Sequence, residues 1–190
     1  MFVKRIGVIG SSAGGPRILK EIFTGLPCLN GSLILVQHMP KFVNNTFCES
    51  LNVQTEMTVK LAEEGEYIKP GFMYVAPSEV HCGLVDNRII HLFNAEKVHY
   101  VSPSIDVTME SIKSEVGLRP LGVLLTGMGK DGAEGIAHIK DVGGLTIVQS
   151  EQTSIIWGMP KAALDTGKVD FVLDPQEIRA KLIQEMGIKR

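Results

Sequence analysis

The sequence predicts an α/β fold: a doubly wound, mostly parallel sheet with helices on both faces and a short antiparallel edge. Three observations point there. Short, near-continuous Val/Ile/Leu runs recur along almost the whole chain, as in strands buried on both faces. Longer periodic stretches stand between them, opened by Pro or Asp and closed by Gly, which are physical start and stop marks of helices. The resulting strand–helix–strand alternation builds a parallel sheet covered by helices.

Taken in order, Phe2 to Ile9 is the first expected strand, and Pro16 opens a helix to about Thr24. Leu33 to Gln37 and Met73 to Ala76 are the next strands. The segment from Val75 to Phe93 differs: Ile68-Lys69-Pro70-Gly71, then Asp86-Asn87, suggest turns joining short antiparallel strands, hence a mixed edge. A helix is expected over Ile105 to Val116, then a strand over Leu121 to Thr126. Asp131 begins a helix that stops at Gly143-Gly144, and Leu145 to Gln149 follows as a strand. Pro160 to Gly167 is helical, Val169 to Leu173 is the last strand, and Pro175 leads into a final helix. No repeat, low-complexity run or linker interrupts this pattern, so residues 1–190 are expected to form one domain.

Composition narrows the function. The 190 residues carry a formal charge of −2, with 44% hydrophobic and 21% charged side chains. That is ample apolar material for a core and excludes a disordered tail, which cannot offset the entropy of ordering. The charge balance argues against nucleic acid, which selects clustered Lys and Arg. No apolar run approaches the roughly 20 residues that span a bilayer, and Ser and Gly cut short any signal-like run after Met1 to Ile9. Cys28, Cys48 and Cys82 are an odd set without CxxC spacing, which favours a reducing cytosol.

Three polar residues stand out by position. Ser12 follows the first strand inside Gly10-Ser11-Ser12-Ala13-Gly14-Gly15, just before a helix. His38 ends Leu33-Ile34-Leu35-Val36-Gln37, and Asp131 lies in Gly127-Met128-Gly129-Lys130-Asp131-Gly132 after Leu121 to Thr126. The carboxyl ends of parallel strands share one rim, where ligands bind at the switch point of strand order. The types suit hydrolysis. A serine hydroxyl needs a base to take its proton, an imidazole is such a base, and a carboxylate on its other nitrogen fixes the ring. Asp131 at a helix start should stay ionised. The Ala13 and Met128 amides are the natural donors to a developing oxyanion, a contribution of about 3–4 kcal/mol per donor.

Each residue also has a structural reading. Ser12 could sit in a nucleotide-phosphate loop, but it occupies the place where a GxGxxG loop needs Gly, and the next strand ends in Gln37-His38 instead of a ribose-binding acid. His38 could be a capped strand end and Asp131 a helix N-cap. His81, His91 and His99 lack metal-ligand spacing, and His138 reads as a surface partner of Glu134 four residues away.

The chain resembles the chemotaxis protein-glutamate methylesterases of bacteria. The blocks that carry the likeness are Ile9-Gly10-Ser11-Ser12-Ala13-Gly14-Gly15-Pro16, Val36-Gln37-His38-Met39-Pro40 and Pro70-Gly71-Phe72-Met73-Tyr74-Val75-Ala76-Pro77. They continue through Pro103-Ser104-Ile105-Asp106-Val107, Leu124-Leu125-Thr126-Gly127-Met128-Gly129-Lys130-Asp131-Gly132-Ala133 and Trp157-Gly158-Met159-Pro160. The resemblance implies a doubly wound α/β catalytic domain with Ser12, His38 and Asp131 as its triad. It implies removal of methyl groups from methylated receptor glutamates, with release of methanol, and often deamidation of receptor glutamines. Methyl-accepting chemotaxis receptors would be the protein substrate, a separate regulator a possible partner, the cytosol the location, and no metal or organic cofactor would be required. Two positions depart from the family pattern: Ala13 stands where Thr is usual, and Ser102 where an Arg usually precedes the Pro-Ser block. Family members commonly carry an N-terminal receiver domain, whereas this sequence opens on the catalytic strand. The alternatives are a non-catalytic receptor- or regulator-binding module that kept the fold, and a serine hydrolase for another small ester.

Overall fold

The computed structural model describes residues 3–189. In chain order its elements are β1 (Arg5–Ser11), α1 (Gly15–Phe23), β2 (Ser32–Gln37), a single 3-10 turn (Lys41–Val43) and α2 (Asn44–Asn52). Next come β3 (Thr58–Leu61), β4 (Phe72–Val75), β5 (His81–Val85), β6 (Ile89–Phe93) and α3 (Ile105–Glu110). The chain continues through β7 (Arg119–Leu124), α4 (Ala133–Asp141), β8 (Leu145–Gln149), α5 (Gly158–Leu164), β9 (Phe171–Leu173) and α6 (Pro175–Met186). The first strand, expected from Phe2, begins at Arg5; Phe2 itself lies outside the described residues.

Seven strands form one sheet in the order β3-β4-β2-β1-β7-β8-β9, and every neighbouring pair is parallel. From the central β1, the chain builds outward first through β2 and later, on the other side, through β7. Right-handed crossovers running in opposite directions put their helices on opposite faces, which is double winding. One core layer accordingly joins Ile18, Leu19, Ile22 and Phe23 of α1 to Leu51 of α2 and to Ile178, Leu182 and Met186 of α6. The other joins Ile105 and Met109 of α3, Ile136 and Ile139 of α4 and Met159 of α5. The four α1 side chains sit at i, i+1, i+4 and i+5, one stripe of a helix, and each contributes about 1.5–3 kcal/mol by burial. Gly10 lets α3 lie against β1: a Cβ there would meet Ile105 Cγ2 at 2.5 Å.

The antiparallel strands are present, but as a separate two-stranded ribbon beside the main sheet, not as its edge. Asp86 (φ 49) and Asn87 (φ 57) make its turn, the left-handed pair that a two-residue hairpin requires. Cys82, Leu84 and Ile90 insert into the second core layer, so apolar burial takes the ribbon onto the helical face. The helix expected over Ile105 to Val116 stops at Glu110. Asn87 is the physical reason: its side chain accepts from Lys113 N at 2.9 Å and donates to Lys113 O at 3.0 Å, taking both backbone groups that would continue the helix. Among the described residues, no helix is long and apolar enough to cross a membrane.

Candidate active site

The carboxyl ends of β1, β2 and β7 lie at the switch point of strand order, where open α/β sheets bind their ligands. Ser12 and His38 each stand one residue beyond their strand, and the β1–β2 register pairs Ser11 with Gln37, so the two are neighbours. Backbone bonds tie the loops together: Ser12 N–H donates to Thr126 O at 3.0 Å and His38 N–H to Ser11 O at 3.1 Å. Gln37 braces both residues, its amide donating to Ser12 O at 3.1 Å and to His38 O at 2.8 Å. Gly127 must be glycine, because a Cβ would lie 2.3 Å from Met159 Sδ and 2.9 Å from Ser12 Cβ. This close approach sets the Gly127 backbone beside the Ser12 side chain.

His38 Nε2 meets Asp131 Oδ2 at 2.8 Å, with the aspartate side chain 4% and the ring 13% exposed. The carboxylate therefore takes Nε2 and leaves Nδ1 as the ring nitrogen available for a second partner. Ser12 Oγ makes no hydrogen bond among the described residues; hydroxyl–imidazole contacts are often long until substrate is bound. The Ala13 and Met128 N–H groups are likewise not engaged by any other acceptor among the described residues.

Asp131 does not cap the helix that follows it. The N-cap of α4 is Gly132, with no side-chain cap bond. Asp131 instead reaches across to α3. Its Oδ1 accepts from Ser104 Oγ at 2.7 Å and Asp106 N at 3.1 Å, and its Oδ2 from Ile105 N at 2.7 Å in addition to His38. Burial works against ionisation, but the His38 bond and the three further donors outweigh it, and the carboxyl is held below its ordinary value. Asp106 beside it behaves oppositely. Burial, augmented by the charge of Asp131 and opposed by the Gly135 N–H and by His99, pushes it up to about 6.

This difference has a measurable sign. A carboxyl raised in the folded state stabilises fully below its unfolded value, 3.8, and that contribution disappears as pH rises through about 6. Asp106→Asn lacks this loss, so its urea midpoint minus that of the wild type is expected to climb between pH 4 and 6 and then level. A pH-independent difference would show that burial of the Asp106 charge carries no cost.

Sequence reading did not single out Ser104, Asp106 or Gln37 for the site. The available signal was Pro103-Ser104-Ile105-Asp106, a helix start with Ser at the N-cap, where Ser104 accepts from Val107 N. His138 is not a surface partner of Glu134; its Nε2 donates to Ile112 O at 2.7 Å. His81 is held by two hydrogen bonds, its Nε2 donating to Glu96 O at 2.9 Å and its Nδ1 accepting from Ser104 N at 3.3 Å. His99, Asp106 and Asp131 bring ligand-type atoms within 4.8 Å of one another. They do not suit a cation, since Asp131 already accepts four hydrogen bonds and its two oxygens offer about four lone pairs.

Fold and site together define a class: a doubly wound α/β domain holding a serine, a histidine and a buried aspartate at the carboxyl rim of a parallel sheet. The family model of CheB methylesterase matches residues 7–182. The chain belongs to the CheB methylesterase family. A Methanococcus maripaludis protein named protein-glutamate methylesterase/protein-glutamine glutaminase is 41% identical over 93% of this chain and 50% of its own length. A Thermotoga maritima protein of the same name is 39% identical over 95% of this chain and 54% of its own. The chain thus spans about half the length of the curated relatives it matches. The crystal structure of the Thermotoga maritima CheB methylesterase catalytic domain superposes with a TM-score of 0.89 at 38% identity, covering 97% of this chain and 100% of that one.

Proposed function

We propose that this chain is a cytosolic serine esterase that hydrolyses glutamate γ-methyl esters on chemoreceptors and deamidates receptor glutamines. The single observation that carries the reading is the 2.8 Å His38–Asp131 contact beside a serine whose hydroxyl has no hydrogen-bond partner among the described residues. Ser12 attacks the ester carbonyl as His38 takes its proton at Nδ1. Asp131, bonded to Nε2, holds the ring and stabilises the imidazolium that forms. The unengaged Ala13 and Met128 amides receive the oxyanion. His38 returns the proton to methanol as it leaves, and water then hydrolyses the acyl-enzyme by the same relay. Amide substrate follows the same course with ammonia as the leaving group. No step calls for a metal or organic cofactor, and residues 1–190 act as one catalytic domain.

The test is methanol release from methylated receptor membranes, read alongside labelling of Ser12 by a serine-reactive fluorophosphonate. Turnover with labelling is the expected result. Receptor binding without turnover would make the chain a binding module. Labelling with turnover only of other small esters would place its substrate elsewhere.

A further inference from the structure

Asp106 and Asp131 exchange places across two helix starts. Asp131, just ahead of α4, holds the N–H groups of Ile105 (2.7 Å) and Asp106 (3.1 Å) at the start of α3. Asp106, in the first turn of α3, holds the N–H groups of Gly132 (2.9 Å) and Gly135 (2.7 Å) at the start of α4. Gly132 directly follows Asp131, so the bond it makes to Asp106 anchors the backbone from which the Asp131 side chain projects. Both backbone bonds converge on Oδ1 of Asp106, and its Oδ2 meets only His99 Nε2 among the described residues, at 3.1 Å. Asp106 is 2% exposed and bonds neither Ser12 nor His38 among the described residues. The groups facing it are Asp131 from the loop before α4, His99 from the loop before α3, and Glu110 on its own helix.

We propose that Asp106 is a positioning residue: by gripping the amides of Gly132 and Gly135 it sets Asp131, and through Asp131 the ring of His38. Nothing in the motif that carries Asp131 can do this, because the grip comes from a helix on another segment of the chain. The inference rests on the hydrolase reading of Ser12, His38 and Asp131. Its size follows from geometry, since displacing a catalytic group by about 1 Å costs on the order of 100-fold in rate.

The experiment compares Asp106→Ala and Asp106→Asn in the whole chain by two readouts. One is kcat and KM for methanol release per fluorophosphonate-labelled site. The other is the low-field proton resonance of the His38 Nε2–H bond, identified by its absence in His38→Gln. Asp106→Ala should lower kcat by about 30- to 100-fold with KM within about twofold, and should lose the resonance. Asp106→Asn keeps an oxygen for both amides, so it should retain the resonance and kcat within about threefold of wild type. Should the Ala variant not fold, Asp106→Ser replaces it, its short hydroxyl unable to hold both amides. Wild-type kcat and resonance in the Ala or Ser variant would overturn the proposal, as would an Asn variant as impaired as Ala. If wild type releases no methanol, the esterase reading falls, and the resonance alone still decides the role of Asp106.

Discussion

Ser12→Ala is expected to cut methyl ester hydrolysis by about a thousandfold to a millionfold while changing stability by no more than about 0.5 kcal/mol. The catalytic loss follows from removing the attacking atom. What survives comes from oxyanion stabilisation and substrate binding, which persist without the nucleophile. The small effect on stability follows from the contacts. Ser12 holds the rim through its backbone, donating N–H to Thr126 O and accepting at its carbonyl from Gln37 and from Gly15 N. Its hydroxyl has no hydrogen-bond partner among the described residues, so deleting it orphans none. Methanol release and urea unfolding on the same preparations separate the two effects. Wild-type turnover by the Ala variant would remove Ser12 from the mechanism. A large loss of stability would mean that the hydroxyl is structural.

Asp131→Asn should be nearly as damaging as Asp131→Ala, in contrast to Asn at Asp106. At Asp131 each carboxylate oxygen accepts one backbone N–H: Oδ1 that of Asp106 and Oδ2 that of Ile105. An Asn amide must point its NH2 at one of them in either orientation, and neither backbone donor can turn away. Facing His38 and Ile105, the NH2 also removes the carboxylate that holds the ring. Facing Ser104 and Asp106, it leaves a neutral oxygen that stabilises the imidazolium less. The expected outcome is a rate loss of about 10⁴-fold and a stability loss of about 2–4 kcal/mol from clashing or orphaned buried donors. The measurements are methanol release per labelled site and urea unfolding as a function of pH.

The pH dependence of wild type supplies an internal check. The Asp131 carboxyl lies below its ordinary 3.8 in the folded state, so its stabilisation is present above that value and is lost as pH falls through the lower one. Asp131→Asn should lack this acid-limb loss. An Asn variant that is both active and as stable as wild type would show that the four donors around this carboxylate do not define its position.

Much of the fold was legible because burial writes itself into composition. All six residues of β2 are buried, as are six of the seven in β1, and apolar runs flanked by Pro and Gly announce such elements. β3 was not legible. Its sequence Thr-Val-Lys-Leu lies at the sheet edge with only Val59 buried, so it is a strand through pairing with β4 and not through its own pattern. The turn and helix over Lys41 to Asn52 were equally silent, since Asn44, Cys48 and Leu51 are the only buried positions of α2. The antiparallel pair could be read from its turn residues, but whether it would join the sheet or lie on the helices depended on packing against α3.

The sequence by itself determined that Ser12, His38 and Asp131 would lie on one rim, because each follows a buried strand and all parallel strands end on the same side. It also placed Ala13 and Met128 in glycine-rich turns, where their amides have no acceptor among the described residues. Only the tertiary structure decided that β1 lies between β2 and β7, that Asp131 engages Nε2 of the ring, and that its charge is held by the start of α3 instead of α4. The physical reason is that hydrogen-bond partners of a buried carboxylate are chosen by the packing of two helices against each other. No local spacing encodes that choice.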